Sequence, residues 1–460
     1  MAKNMTEGKP IKLILQFAIP LLIGNILQQT YNLIDAALVG KILGEKALAA
    51  VGASSSVQFL VMGFCIGVCA GFGVPVAKSF GAGKLREMRK DIFNAIILVC
   101  GLAVILTTAC AVLCPWILHM LSVPGDIYAD ACDYLLIIFL GIPFSLLYNF
   151  LASILRSIGD SRTPFIFLAV STVLNIVLDL VCILVLGWGC AGAAIATVTA
   201  QGISGICCLV YIIRKVKILH LEKEARKTDR KSFAKMLVMG FPMGIQYSIT
   251  AIGSMVMQSA NNGLGSVCVS GFTAGMRIKQ FAMCPFDAVA TGVSVFAGQN
   301  LGAKKMDRVR KGIKQGIAIS VLYGIAIGLV LIFGGRMLTL MFVDKEAVAV
   351  LDASAKYLRC LGCFYWAIGF LNVARMTVQG LGYPGRAIFS GVTEMIARIV
   401  VSLVFVPMYG FTAICFADQT AWVSACLYII PMCIICVKSA EKSVASDACY
   451  IRILEQVENG

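Results

Sequence analysis

Twelve apolar segments follow one another along the chain of 460 residues, and this pattern limits the possible folds more than any other feature. Each segment is long enough to cross a bilayer, which takes about 20 apolar residues in a helix. Lipid offers backbone groups no hydrogen-bond partners, so the segments must be helices. They cover approximately residues 13–35, 49–75, 92–115, 130–155, 164–186, 190–213, 234–260, 266–296, 313–335, 350–378, 386–407 and 411–437.

The composition agrees with this assignment. The chain has 59% hydrophobic and 14% charged residues, whereas soluble proteins carry about 25% charged residues. The sequence therefore predicts an all-α polytopic membrane protein with twelve transmembrane helices. Its net charge of +15 does not indicate a nucleic-acid partner, because most of the 39 Lys and Arg residues fall on one side of the predicted membrane. The positive-inside rule places that side, with both termini, in the cytoplasm.

Cysteine and histidine do not indicate a metal centre. The 19 cysteines lie mostly singly within apolar segments, where a free thiol behaves as a small hydrophobe. Only two histidines are present, and no CxxC motif stands with them at ligand spacing. We therefore expect no structural metal and no cofactor.

An internal repeat divides the chain. FGAGKLREMRK (80–90) recurs as LGAKKMDRVRK (301–311), and the apolar surroundings of Pro20 recur around Pro242. Both pairs are separated by nearly the same number of residues, which indicates duplication. With six helices in each half, both halves enter the membrane from the same side, so the repeat is parallel. Two such bundles leave a central cavity at their interface, and rocking one against the other opens it to alternate sides.

The repeat and the charged segment between its copies predict four parts of the chain. They are an N-terminal six-helix lobe (1–219), a cytoplasmic linker (220–232), a C-terminal six-helix lobe (233–438) and a cytoplasmic tail without an assigned role (439–460).

Several strings resemble one known family. IDAALVGKILGEKALAAVG (34–52), GQNLGAKK (298–305) and RSIGDSRTP (156–164), within two six-helix halves, are similar to those of multidrug and toxic compound extrusion (MATE) transporters. The resemblance implies two lobes in a V around a central cavity. It also implies a secondary antiporter of the bacterial plasma membrane that exports organic, often cationic, compounds in exchange for H+ or Na+. Such a transporter can work as a monomer.

A polar cluster is expected in the first half. Asp35 lies about 24 residues into the first helix, beyond the middle of the membrane. Asn175 and Asp179 have i,i+4 spacing and share one face of the fifth helix. Thr197 reaches a similar depth on the sixth helix, and Tyr31 lies one turn before Asp35. Charged groups at such depth are expensive and usually functional.

This cluster has two possible chemistries. Two carboxyl groups in a low-dielectric pocket resist ionising together, so one of them can hold a proton. Alternatively, carboxylate, amide and hydroxyl oxygens can coordinate a hard cation such as Na+. The family resemblance implies an ion-coupling role for Asp35, Asn175, Asp179 and Thr197. The competing interpretation is a structural hydrogen-bond network between helices.

The second half departs from the first. Met257, Arg398 and Asp418 stand at the positions that correspond to Asp35, Asn175 and Thr197, while Arg277 and Lys279 lie near the midplane. We expect this basic half to exclude the coupling ion and to shape substrate choice. The expected ion pairs are Glu394–Arg398, Asp418–Arg277 and Asp287–Lys279.

A substrate cavity is predicted in the second half. Methionine is flexible and polarizable, which suits a cavity that accepts varied shapes; ordinary packing or contact with lipid is the alternative for each residue. The predicted cavity residues are Met257, Gln258, Asn261, Met276, Arg277, Lys279, Gln280, Met283, Arg398 and Asp418.

Two other functions compete with antiport. The basic residues of the second half suit a flippase for lipid-linked saccharides or lipids of the same superfamily, but the acidic cluster of the first half argues against it. An enzyme is not expected, because the sequence has no HExxH, no GxSxG and no phosphate-binding P-loop. The expected partners are therefore a small organic substrate and the membrane lipid.

Overall fold

The computed structural model describes residues 3–121 and 123–458, and this part of the chain is helical without strands. Ten of its helices are long and apolar enough to cross a membrane, and two bent helix pairs raise the number of spans to twelve. Each coincides with one predicted segment. The predicted all-α membrane fold is therefore confirmed.

The spans are numbered α1 to α12 in chain order. The N-terminal lobe contains α1 (Pro10–Leu43), α2 (Glu45–Gly81), α3 (Leu85–Met120), α4 (Tyr128–Leu140 and Ile142–Ser157), α5 (Arg162–Val185) and α6 (Gly189–Lys215). The C-terminal lobe contains α7 (Arg230–Asn262), α8 (Ser266–Gly302), α9 (Met306–Thr339), α10 (Val348–Gly362 and Tyr365–Gly380), α11 (Pro384–Tyr409) and α12 (Phe411–Glu458).

Two spans are bent and the last one is extended. The two parts of α4 meet at an angle of 45°, and those of α10 at 55°. The predicted tail, 439–460, continues α12 as a helix to Glu458, and its last two residues lie outside the described part. The bent spans are fourth in each lobe, as expected for repeated halves.

The two lobes touch along one half of the membrane. We call the end of the bundle where α1 and α7 begin the basic face, since most Lys and Arg residues lie there. Close to it, α2 packs against α7 and α8, and α1 packs against α8. A Cβ on Gly71 would lie 2.5 Å from the Met239 carbonyl oxygen, and one on Gly81 would lie 2.0 Å from that of Gln299. Only glycine permits such close backbone contact.

The other halves of α2 and α7 pack within their own lobes. The Ser54 hydroxyl donates to the Ala131 carbonyl in α4, at 3.4 Å. On α7, a Cβ at Gly253 would lie 3.1 Å from the Met395 Cα in α11. The lobes are thus sealed against each other at the basic face, and the space between them opens toward the opposite face.

Gly71→Val is expected to prevent this seal. The added side chain meets backbone on α7, which cannot rotate away, so we expect a loss of about 1–3 kcal/mol of stability in the sealed state. Thermal unfolding of the purified protein in detergent measures the effect. Gly101→Val is the matched control, because a Cβ on Gly101 meets nothing within 4 Å. Equal unfolding temperatures for the two variants would contradict the prediction.

Candidate functional site

Three helices of the N-terminal lobe bring the predicted polar cluster together. The Tyr31 hydroxyl on α1 lies 3.1 Å from the Thr197 hydroxyl on α6. The side-chain amide of Asn175 on α5 forms hydrogen bonds to both Asp179 and Thr197 when its nitrogen faces Asp179. In this orientation the nitrogen donates to an Asp179 carboxylate oxygen at 2.9 Å. Its oxygen then accepts from the Thr197 backbone N–H at 3.1 Å. The structure thus brings Tyr31, Asn175, Asp179 and Thr197 together, while the ion-coupling role of the residues stays a prediction.

Asp35 completes the cluster from α1. Its carboxyl group lies next to that of Asp179, so the two carboxyl groups interact directly. Asp179 is fully buried and Asp35 is half-buried. The Oδ1 atom of each has no hydrogen-bond partner among the described residues. Among the described residues, no basic side chain forms an ion pair with either carboxyl group, whereas Asp418 of the other lobe has two such partners.

Helical irregularities lie next to these residues. The segment Val39–Leu43 is a π-helical turn that begins one helical turn beyond Asp35, and Val181–Val185 is another that begins just beyond Asp179. Such turns weaken the regular hydrogen-bond pattern and are frequent at functional sites. They make the ends of α1 and α5 the places where these helices can change shape locally.

Two further side chains belong to this site and were missed by the sequence analysis. Tyr134 on α4 is buried, and its hydroxyl donates to the Gln58 side-chain oxygen on α2 at 3.4 Å. Tyr134 lies within electrostatic reach of Asp35 and Asp179. The repeat gave a usable signal, since Tyr357 and Gln280 stand at nearly the same spacing in the second half.

Asp418 is the centre of the corresponding site in the C-terminal lobe. Its Oδ2 accepts from the Lys279 ammonium at 2.5 Å and from the Tyr357 hydroxyl at 3.0 Å. Its Oδ1 accepts from the Arg398 guanidinium at 3.2 Å. The Lys279 ammonium also lies 5.5 Å from the Trp422 ring centroid, a cation–π distance. Two cations thus neutralise this one carboxylate.

The ion network continues toward the basic face. Arg398 reaches the Glu394 carboxylate at 3.4 Å, which confirms the expected pair, and Glu394 also binds Arg375. Arg375 in turn donates to the Ser390 hydroxyl at 2.9 Å. A third π-helical turn, Val401–Phe405, follows Arg398.

Two expected ion pairs are wrong. Asp418 binds Lys279 and Arg398 rather than Arg277, because α12 faces α8 at Lys279. Asp287 accepts a hydrogen bond from the Asn372 amide at 3.0 Å rather than pairing with Lys279. Depth was estimated from the sequence, but the direction in which each helix face points was not available from it.

The predicted cavity residues fall into two groups, one exposed or partly exposed and one buried. Gln280 is exposed, and Gln258, Met276, Arg277 and Met283 are partly exposed. The other five do not line open space in this structure, because they pack inside the lobe or bind one another. These five are Met257, Asn261, Lys279, Arg398 and Asp418.

Comparison with known proteins gives consistent results. A family model described as MatE matches residues 20–181 and again 242–404. The chain is 31% identical over 416 residues to the probable multidrug resistance protein YpnP of Bacillus subtilis, covering 90% of each chain. It is 23% identical over 417 residues to the multidrug export protein MepA of Staphylococcus saprophyticus, covering 89% of this chain and 90% of that relative.

Solved structures share the fold. A crystal structure of MATE in complex with MaL6 superposes with a TM-score of 0.88 at 21% identity, covering 95% of this chain and 99% of that one. An outward-facing multidrug resistance MATE transporter of the MOP superfamily gives a TM-score of 0.86 at 21% identity, covering 96% and 98%. Since the MatE model covers most of the sequence and YpnP is similar over nine tenths of it, this multi-pass membrane protein belongs to the MatE family of transporters and is not an enzyme.

Proposed function

We propose that the protein is a secondary antiporter that exports organic compounds, cationic or amphipathic, in exchange for H+ or Na+. The names of its relatives, a probable multidrug resistance protein and a multidrug export protein, support the export of varied organic compounds. The coupling ion acts at Asp35 and Asp179, with Asn175, Thr197 and Tyr31 around them. Gln58 and Tyr134 complete the polar wall of this site.

The observation that carries the proposal is the difference in charge between the two lobes. In the N-terminal lobe, Asp35 and Asp179 lie together, and neither forms an ion pair with a basic side chain of the described residues. In the C-terminal lobe, Asp418 is already neutralised by Lys279 and Arg398. A mobile cation is therefore needed in the first site and excluded from the second, and ion coupling falls to one lobe.

The geometry also supports alternating access. The positive-inside rule places the basic face in the cytoplasm, so the sealed lobes correspond to an outward-facing state. An ion entering from outside reaches the Asp35–Asp179 pair and removes the repulsion between its carboxylates. The changed charge then alters the packing of α1 and α5 next to their π-helical turns. Closure on the outer side and opening on the inner side follow as rigid-body rocking of the lobes.

The same proposal covers location and assembly. The protein acts in a bacterial cell membrane with both termini in the cytoplasm, surrounded by lipid and without a nucleic-acid partner. One chain holds the ion site and the cavity between its own two lobes, so we propose that it works as a monomer. The parts 1–219, 220–232, 233–438 and 439–460 are its lobes, linker and tail.

Reconstituted liposomes test the proposal. Ethidium, a model organic cation, is followed under an imposed pH gradient and then under a Na+ gradient. We expect accumulation driven by one of the two gradients and abolished when that gradient is collapsed by an ionophore. Flux that depends on neither gradient, in protein shown to be folded, contradicts antiport.

The flippase alternative is weakened by the ion network. A pyrophosphate headgroup needs unpaired cations, whereas Lys279 and Arg398 share Asp418 and Arg375 binds Glu394. Failure of ethidium flux together with movement of a lipid-linked saccharide would favour the flippase.

A further inference from the structure

Residues 3–8, which we call the strap, cross the seam between the two lobes at the basic face before α1 begins. On the side of the N-terminal lobe, the Lys3 backbone N–H donates to the Ile158 carbonyl oxygen at 2.8 Å. The Lys3 carbonyl oxygen lies over Gly159, where an added Cβ would be 2.2 Å from it. The start of the strap therefore lies directly against the turn between α4 and α5, because glycine has no side chain to keep the two backbones apart.

The C-terminal lobe binds the next residue of the strap. The Met5 backbone N–H donates to the Gln299 side-chain oxygen on α8 at 2.9 Å. The Met5 carbonyl oxygen accepts from the Asn300 amide at 3.1 Å and from the Arg308 guanidinium at 3.2 Å. Both polar groups of the Met5 backbone thus have partners in that lobe, as buried backbone groups require.

Two basic side chains at the start of α9 hold the end of the strap. The Lys305 ammonium donates to the Thr6 carbonyl oxygen at 3.1 Å. The Arg308 guanidinium also donates to the Gly8 carbonyl oxygen at 2.8 Å. Hydrogen bonds from charged donors are stronger than those between neutral groups. The strap is therefore held on the C-terminal lobe along most of its length.

The Met5 side chain anchors the strap. It is 1% exposed, and it belongs to the apolar core of the C-terminal lobe together with Phe296 and Val309. Removal of this apolar surface from water favours the docked position of the strap. The strap is thus fixed by a buried side chain as well as by hydrogen bonds.

Gln299 connects the strap, the C-terminal lobe and the N-terminal lobe. Its side-chain oxygen accepts from Met5, and its nitrogen donates to the carbonyl oxygen of Ser157, the last residue of α4, at 2.9 Å. The side chain of Gln299 is completely buried. Separation of the lobes on this side breaks the bond to Ser157 and leaves both of its polar groups without a partner until water enters.

Two strings that stand out in the sequence form the two sides of this contact. RSIGDSRTP (156–164) supplies the turn of the N-terminal lobe, and GQNLGAKK (298–305) supplies the end of α8 and the turn that follows it. They lie at the basic face, away from the Asp35–Asp179 cluster, so ion coupling does not account for them. Their residues in the contact are Ser157, Ile158, Gly159, Gln299, Asn300 and Lys305.

The repeat shows that the contact with the strap is particular to one lobe. Gly382 stands where Gly159 stands in the first half, and both have a positive φ, +93° and +82°. A Cβ on Gly382 would meet only the tip of the Met239 side chain, at 3.7 Å. The turn thus requires glycine in both lobes, whereas only Gly159 also makes room for the strap.

We propose that the strap is a clamp on the basic face, which keeps the lobes sealed there and must let go of one of them before they part. A segment that is bound to both lobes cannot keep both sets of bonds when the lobes separate, so it stabilises the sealed state selectively. This inference rests on the proposed function, because alternating access requires the lobes to part at this face.

Hydrogen exchange followed by mass spectrometry tests the clamp in the full-length protein in lipid nanodiscs, without an ion gradient or a transported compound. The reporter is residues 77–82 of α2, which pack directly against α8 across the seam. Met5→Ser should speed exchange there by about tenfold, because the sealed state loses its buried anchor. Exchange in residues 50–57 and 250–257, in the other halves of α2 and α7, should not change. Glu7→Gln alters an exposed residue of the strap and is the control.

Arg308→Gln tests the clamp from the C-terminal lobe. It removes the hydrogen bonds to the carbonyl groups of Met5 and Gly8, so it should speed exchange of the reporter as Met5→Ser does. Lys311→Gln is the matched control, because it removes the same charge from an exposed position one turn further along α9.

Gly159→Ala tests the clamp from the N-terminal lobe. The added methyl group meets the Lys3 carbonyl oxygen and pushes the strap away, which should also speed exchange of the reporter. Gly382→Ala introduces the same backbone strain in the corresponding turn of the other lobe without touching the strap, and it should leave the reporter unchanged.

Two results overturn the clamp. One is unchanged exchange of residues 77–82 in Met5→Ser and Arg308→Gln while the strap itself exchanges faster, which would make the strap a passive cover. The other is an equal rise in residues 50–57 and 250–257, which would mean that the strap supports the whole fold rather than the seal. Because the measurement needs no gradient, a failure of antiport in liposomes is a separate result.

Discussion

Asp35→Asn is expected to lower ion-driven ethidium flux in liposomes by roughly a hundredfold, the scale of a strong coupling between two ligands. The amide has nearly the same shape but carries no negative charge, so it neither holds a proton with Asp179 nor attracts Na+. The hydrogen bonds among Tyr31, Asn175 and Thr197 do not involve Asp35, so the variant should fold.

The measurement compares initial rates at equal protein density under whichever gradient drives the unaltered protein. Asp126→Asn is the matched control, because this carboxylate is exposed and forms only a loose pair with Lys46 at 3.7 Å. We expect it to retain full flux. Normal ion-driven flux in Asp35→Asn would show that the cluster is a structural network.

Asp418→Asn is expected to lower the free energy of unfolding by about 3–5 kcal/mol, the usual effect of removing one partner from a buried ion pair. The substitution leaves the ammonium of Lys279 and the guanidinium of Arg398 without their common carboxylate. Both side chains are almost completely buried, so water does not replace the lost partner. Denaturant unfolding in detergent measures the loss.

Two comparisons make this result specific. Asp352→Asn breaks a pair of exposed side chains, with Arg336 at 3.4 Å, and should change stability by less than about 1 kcal/mol. Asp418→Asn combined with Lys279→Met removes one of the stranded charges and should recover part of the stability. Equal effects of the Asp418 and Asp352 substitutions would mean that the network adds little to the fold.

Local pattern was sufficient to predict the cluster of the N-terminal lobe. Asn175 and Asp179 share a helix face because 3.6 residues make one turn, whatever surrounds the helix. Depth follows from the rise of each residue along the axis, so Asp35 and Thr197 could be placed at the same level. The structure places Tyr31 and Asn175 against Thr197, and Asn175 against Asp179. The role of these residues in ion coupling and the domain bounds stay predictions.

The C-terminal lobe shows where such reasoning stops. Lys279 and Asp418 are 139 residues apart and bind directly, yet Arg277 was an equally acceptable partner by depth. Sequence separation carries no information about how two helices are rotated against each other. Tyr134 was missed for the same reason. A tyrosine in an apolar segment cannot be told from an ordinary packing residue until the side chains around it are known.

By itself the sequence determined the membrane class, the number of spans, the duplication and the level of each charge, because these depend on length, composition and helical rise. Only the tertiary structure decided which charges neutralise one another, which of the predicted cavity residues are buried, and at which face the lobes are sealed. Those properties depend on helix rotation and on contact between the two lobes. Packing of side chains from distant parts of the chain sets both, and no local pattern records it.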